Sequence, residues 1–203
     1  MTEPQPYHHA NLRKTLLDAA VALIGEVGPR AFTLREVARR AGVSHNAPYR
    51  HFASKDELLA AVAVEGFDRM TAVMEKAMKP GNSPLERLQL CGCGYVEFAL
   101  RWPQHLLVMF DLPVRARNDC EAVGANAFQV LLDCITEAQR AGDLAAGDPL
   151  PSAWTAWSLV HGIAKLANSG NLPLTRKATL EFTRNATRTM FDGMVVKGRP
   201  RAR

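Results

Sequence analysis

The sequence predicts an all-α protein of about nine helices: an N-terminal three-helix helix-turn-helix domain followed by a C-terminal helical bundle. Three observations carry this. Apolar residues recur at helical spacing along most of the chain, and no stretch has convincing strand alternation. Capping residues and Gly or Pro stops bracket the periodic runs. Between Thr33 and Lys55, TLREVARRAGVSHNAPYRHFASK places two short helical patterns around one tight turn.

Residues 1 to 8, with Pro4 and Pro6, are expected to be a flexible arm. A first helix from about His9 to Val27 carries the apolar stripe Leu12, Leu16, Ala20, Leu23 and Val27, and Gly28-Pro29 breaks it. Thr33, with Glu36 three residues on, is a capping box for a second helix whose Leu34, Val37, Ala38 and Ala41 share one face. Gly42 supplies the turn out of it, Val43 fills the corner, and Ser44 caps a third helix reaching Phe52. At 100° per residue, His45, Asn46, Tyr49 and Arg50 fall within roughly 140° of arc, with Pro48 and Phe52 on another side. Asn pairs bidentately with adenine and Arg with guanine, while His and Tyr reach base edges or phosphate. The exposed face therefore has the chemistry of a major-groove reader.

Ser54-Lys55-Asp56-Glu57 opens the next helix, which runs to about Met78 before Pro80-Gly81. Asn82-Ser83-Pro84 starts a helix to about Arg101, and Pro103 starts a short one ending near Pro113. Further helices span about Asn118 to Ala141, Ser152 to Asn168 and Thr175 to Val196, with Gly142 and Gly170 as stops. Lys197 to Arg203 is a basic tail, expected to be solvated.

Composition is that of a soluble globular chain, with 47% hydrophobic and 22% charged residues among 203. No run of about 18 apolar residues or secretory leader is evident, so a cytoplasmic protein without a membrane span is expected. The net charge of +5 is uneven: residues 1 to 55 hold eight Lys and Arg against four Asp and Glu, the remainder 17 against 16. A basic surface on the proposed reader suits a polyanion, DNA or RNA. Cys91 and Cys93 lack zinc-knuckle spacing and point about 200° apart on a helix. With Cys120 and Cys134 they are expected to be buried reduced thiols, redox sensing being the lesser reading, and neither a metal nor a cofactor is expected.

Val43-Ser44-x-x-Ala47-x-Tyr49-x-His51-Phe52-x-x-Lys55-x-x-Leu58 resembles the signature of the TetR family of one-component bacterial regulators, over roughly residues 10 to 65. The resemblance implies that Tyr49, His51 and Lys55 hold phosphate and that His45 and Asn46 face bases. Thr33, Arg35, Ser44 and Arg50 complete the candidate DNA-binding set. Pro48 departs from the Leu usual there. It keeps helical φ but loses a donor, so the helix is expected to begin slightly distorted. Trp157-x-x-x-His161-Gly162 resembles the Trp-His-Gly signature of one subgroup's C-terminal domain. The implied layout is a DNA-binding domain over 9 to 56, its helix-turn-helix at about 33 to 52, and an effector-binding and dimerisation domain over 57 to 196.

Trp154, Trp157 and His161 stand at i, i+3 and i+7, so one face would hold two indoles and an imidazole able to hydrogen-bond an effector. The plainer reading is a structural His pinned to a carbonyl or a neighbouring helix. Phe98, Trp102, Met109, Phe110 and Phe128 are core-like singly, but together suit a cavity for an apolar or aromatic effector. The last two helices are expected to form a four-helix bundle in a homodimer, with Ala186 and Gly193 near Phe182 and Thr189 permitting close approach.

The expected function is an operator-binding repressor released by a small molecule. One rival is a DNA-binding regulator without a ligand, controlled by a protein partner or by abundance. A remote rival is an enzyme using His105 or His161 as base and Cys91 or Cys134 as nucleophile. No motif assembles a nucleophile, base and orienting acid, so no catalytic residues are assigned.

Overall fold

In the computed structural model, residues 9–111 and 118–194 are described, and they are all-helical: eight α-helices and one 3-10 helix. The arm over 1 to 8 and the tail over 197 to 203 lie outside them. The helices are α1 (His9–Val27), α2 (Leu34–Arg40), α3 (Lys55–Met78), α4 (Pro84–Arg101), α5 (Pro103–Asp111), α6 (Asn118–Arg140), α7 (Pro149–Asn168) and α8 (Arg176–Met194). The 3-10 helix, Pro48–Arg50, lies between α2 and α3. Helix α7 begins earlier than the expected Ser152, because Asp148 accepts from Leu150 N and Pro149 takes the first helical position, where a missing N–H costs nothing.

The chain divides into two compact units, and they are not two consecutive stretches. The first comprises Met1–Gly66 and Gln104–Glu121, the second Phe67–Pro103 and Ala122–Arg203. In the first unit Leu16, Ala20, Leu23, Val37, Phe52, Leu58 and Val62 are buried. The α1 stripe is displaced from the expected one: Leu17 and Ile24 are buried, whereas Val27, the last residue of the helix, is 52% exposed. Against α3 packs α5, closely enough that a Cβ on Gly66 would lie 3.2 Å from that of His105. His105 is buried, its Nε2 3.8 Å from Glu65 Oε2, and Lys14 of α1 reaches Glu65 Oε1 at 3.4 Å.

In the second unit α4 packs against both α7 and α8. Glycines make this close approach possible: a Cβ on Gly92 would lie 3.2 Å from Val160 of α7 and 3.4 Å from Thr187 of α8. On its other side, a Cβ on Gly94 would stand 2.9 Å from Met74 Cα of α3. The inner face of α8 carries Thr179, Thr183 and Thr187, all buried. Each hydroxyl donates to the carbonyl four residues earlier, so the stripe is buried without an unsatisfied donor.

Candidate nucleic-acid interface

The expected capping box at the start of α2 is complete. Thr33 Oγ1 accepts from Glu36 N at 3.3 Å, and Glu36 Oε2 accepts from Thr33 N at 2.7 Å. At the other end, Gly42 takes φ +68°, Val43 N donates to Ala38 O at 3.0 Å and Gly42 N to Arg39 O at 3.3 Å. These are the two bonds of a Schellman turn, and they fix the exit from α2. A two-point ion pair from Arg40 to Glu26, at 2.5 and 2.6 Å, ties α2 to α1.

The second helix of the motif departs from expectation. Ser44 opens a turn, closed by Ala47 N donating to Ser44 O at 2.9 Å, and only Pro48–Arg50 is helical, as 3-10. Pro48 is the physical reason. It has no N–H to give Ser44 O, so the i→i−4 ladder cannot begin there, and the bonds that form are Arg50 N to Ala47 O (3.3 Å) and His51 N to Pro48 O (2.9 Å). The 100° wheel therefore does not describe residues 45 to 50. Even so, its partition into faces holds: His45, Asn46, Tyr49 and Arg50 are exposed, as is Ser44 before them, while Pro48 and Phe52 are buried. Tyr49 is 51% exposed, large for an aromatic side chain with no task on a folded surface.

The remaining candidates differ in how free they are. Arg35 is exposed. The Thr33 hydroxyl is committed to the cap. His51 is half-buried, and its buried Nε2 makes no hydrogen bond. Lys55 turns inward: its Nζ donates to Phe32 O at 2.7 Å and Arg30 O at 3.0 Å and stands 4.4 Å from the centre of the Phe32 ring. Burial holds this ammonium below the usual lysine range, opposed by the charges of Asp56 and Glu36. Lys55 thus closes the loop before α2 onto the start of α3. Arg13 does similar work from α1, its guanidinium 5.4 Å from the centre of the Phe52 ring.

The aromatic candidates for effector binding do not form the single face that spacing suggested. Phe128 packs edge-on to Trp157 with ring centres 6.0 Å apart, and Trp157 meets His161 at 5.9 Å. Trp154, 54% exposed, stands out from this run. Phe98 is buried against Trp102 at 5.6 Å, and the Trp102 ring also lies under Arg101 and Arg69. Met109 and Phe110 belong to the first unit, the others to the second. A residue absent from the sequence-based set is Tyr95, whose hydroxyl lies 2.7 Å from His161 Nδ1. Its position on the stripe Leu88, Cys91, Tyr95 and Phe98 was the available signal, since a tyrosine on an apolar face needs a partner for its hydroxyl.

Among the described residues, no group of three or more His, Cys, Asp and Glu side chains could hold a metal ion, and no helix is long and apolar enough to cross a membrane. None of the four cysteines is in a disulfide; Cys91, Cys120 and Cys134 are buried as expected, whereas Cys93, expected to be buried too, is half-buried.

Two family models match. Residues 16–62 match "Bacterial regulatory proteins, tetR family" and residues 88–190 match "Tetracyclin repressor-like, C-terminal domain". Among curated proteins, the transcriptional repressor KstR of Rhodococcus jostii RHA1 is 41% identical over 78 residues, 38% of this chain and 36% of that one. The regulator BetI of Rhizobium meliloti is 40% identical over 76 residues, 37% of each chain. The match thus spans little more than a third of these relatives. A solved structure of a protein of unknown function from Rhodococcus sp. RHA1 superposes with a TM-score of 0.84 at 35% identity, covering 95% of this chain and all of that one.

Proposed function

The chain belongs to the tetR family of bacterial regulatory proteins, and on that premise we propose that it is a DNA-binding transcriptional regulator, a cytoplasmic homodimeric repressor released from a palindromic operator by a small molecule. The observation that carries the DNA-binding reading is the exposed strip Ser44, His45, Asn46, Tyr49 and Arg50, anchored from beneath by buried Pro48 and Phe52. Groups able to hydrogen-bond base edges and phosphate thus stand on a rigid support, the arrangement sequence readout requires. Asn46 and His45 are the base readers, Tyr49 and Arg50 the backbone and purine contacts, and Lys55 chiefly orders the loop that presents them.

Two copies joined through α7 and α8 would set two such strips on one side of a duplex, so half-sites should lie about one helical turn or more apart. The effector is an apolar or aromatic molecule meeting Phe128, Trp157, His161 and Tyr95. It must favour a conformation whose readers are misplaced for DNA, since equal affinity for both states shifts nothing. One observation favours a second reading, regulation without a ligand: His161 is already engaged by Tyr95 and its ring is packed on Trp157.

Genome-wide mapping of bound sites, followed by mobility shifts on the recovered sequences, tests the proposal. A shared palindrome bound at least 1,000-fold more tightly than scrambled DNA is the expected result, about 4 kcal/mol. Binding without sequence preference would count against it. Release by apolar compounds, read by tryptophan quenching, separates the liganded from the unliganded reading.

A further inference from the structure

Three sulfur atoms from three helices converge inside the second unit. Cys134 of α6 directs its thiol at Met78 Sδ, the last residue of α3, at 3.2 Å. Cys91 of α4 in turn hydrogen-bonds to Cys134, which pushes the Cys91 thiol up, together with its burial, and holds Cys134 below the usual thiol range. Cys91 is 1% exposed and Cys134 7%. Sequence spacing points elsewhere, to Cys91 and Cys93, which a helix turns apart.

Ordinary core packing accounts for one buried thiol. It accounts less well for two thiols and a thioether hydrogen-bonded in series, because sulfur is a weak donor and a weaker acceptor, so such a chain adds little stability. As a ligand set the same three atoms are well matched. Thiolate and thioether are soft donors that select a monovalent thiophilic ion over zinc, which takes four ligands from sulfur, nitrogen and oxygen. With metal–sulfur distances of roughly 2.3 Å, a trigonal site needs sulfurs about 4 Å apart, an opening of under 1 Å from the present contact that the flexible Met78 side chain supplies.

We propose that Met78, Cys91 and Cys134 form a binding site for one thiophilic monovalent cation of the copper(I) type, which would join the end of α3 to α4 and α6. On binding, each cysteine thiol loses its proton to solvent and forms a metal–sulfur bond, and Met78 donates a sulfur lone pair. No oxidation or reduction occurs. The proposal does not rest on the reading of the DNA interface.

The test is an anaerobic titration of the reduced full-length protein with copper(I) against a competing chelator, repeated with silver(I). One equivalent should bind with a thiolate-to-metal absorption band, raise the unfolding temperature and release two protons. Its apparent affinity should fall about 100-fold per unit of lowered pH where both thiols are protonated. Cys134→Ser should abolish the band, Met78→Leu should weaken binding at least tenfold, and Cys93→Ser and Cys120→Ser should leave it intact. Should Cys134→Ser fail to fold, X-ray absorption at the metal edge of the loaded native protein, expected to show three sulfur ligands and overturning the assignment if it shows nitrogen or oxygen ligands instead, replaces it. Absence of stoichiometric binding, persistence of the band in Cys134→Ser, or its loss in Cys93→Ser would each overturn the assignment.

Discussion

The hydroxyl of Tyr95 on α4 lies 2.7 Å from Nδ1 of His161 on α7, a hydrogen bond between side chains 66 residues apart. It fixes the imbalance of the imidazole: one ring nitrogen is engaged by the neighbouring helix, and one ring face is held by Trp157 at 5.9 Å. A ligand that uses Nδ1 of His161 must therefore compete with an internal bond.

Tyr95→Phe should consequently lower stability by about 1–2 kcal/mol, the usual cost of leaving a part-buried polar group without that bond. For a chain of this size the unfolding temperature should fall by roughly 2–8 °C. Operator affinity without effector should stay within about twofold. Thermal denaturation and mobility shifts check both, and an unchanged melting temperature would show that the bond contributes nothing net.

Asn46→Ala should alter the preference at one base pair and cost about 1–3 kcal/mol on the cognate site alone, because a bidentate amide contact discriminates bases. Tyr49→Phe should weaken cognate and scrambled DNA more evenly, since contacts to phosphate carry no sequence information. Binding measured against a panel of single-base operator variants distinguishes the two patterns. An equal loss on all sequences for Asn46→Ala would remove it as a reader.

Pro48→Leu restores an N–H that can donate to Ser44 O, and should convert the turn and the 3-10 helix into one α-helix from about Ser44. That conversion rotates His45 and Asn46 relative to Tyr49. The expected outcome is a changed operator preference, measured by selection from randomised duplexes, with non-specific affinity altered less than threefold.

What was legible in the sequence and what was not divide by range. Thr33 with Glu36 and Gly42 at the corner act within four residues, so that cap and that turn could be located from residue type alone, whereas α7 was expected to start only at Ser152 and starts at Pro149. The exposure of the polar strip was legible too, because Pro48 and Phe52 are apolar and their neighbours polar. Tyr95 with His161 and Cys91 with Cys134 were not, because they meet only when separate helices pack. Spacing on α7 put Trp154 on the same face as Trp157 but could not say how far around the helix burial extends. The inward turn of Lys55 was hidden for the same reason: its carbonyl partners at Arg30 and Phe32 lie 25 and 23 residues away.

Lys55→Met should therefore act mainly on the fold. Two charge-assisted bonds to carbonyls are lost, and with the ammonium only partly buried the cost should be about 1–3 kcal/mol. The salt dependence of DNA binding should change by less than the one unit of slope expected for losing a phosphate contact. Denaturant unfolding and a salt series on one duplex measure the two effects. A slope reduced by a full unit with stability unchanged would make Lys55 a direct phosphate ligand instead.

The last two helices and the loop between them carry exposed apolar residues. Leu166 is 49% exposed, Leu174 41% and Phe182 43%, while a Cβ on Gly162 or Gly193 would meet nothing within 4 Å. Phe182, Thr189 and Gly193 are exposed on a flank of α8 about a quarter-turn round from the buried Thr179, Thr183 and Thr187, so this helix has an inner face committed to the fold and an exposed flank suited to the proposed second copy. In a two-fold dimer each substitution counts twice. Burying the exposed part of one phenylalanine contributes roughly 1 kcal/mol, so Phe182→Asp removes about 2 kcal/mol per dimer from lost apolar contact, and more from placing two carboxylates at the interface. Dimer dissociation should rise at least 30-fold, read by sedimentation equilibrium, with α-helical content unchanged. Operator affinity should fall in parallel at protein concentrations below the new dissociation constant, because a single copy engages only one half-site. A variant that stays dimeric at nanomolar concentration would place the interface elsewhere.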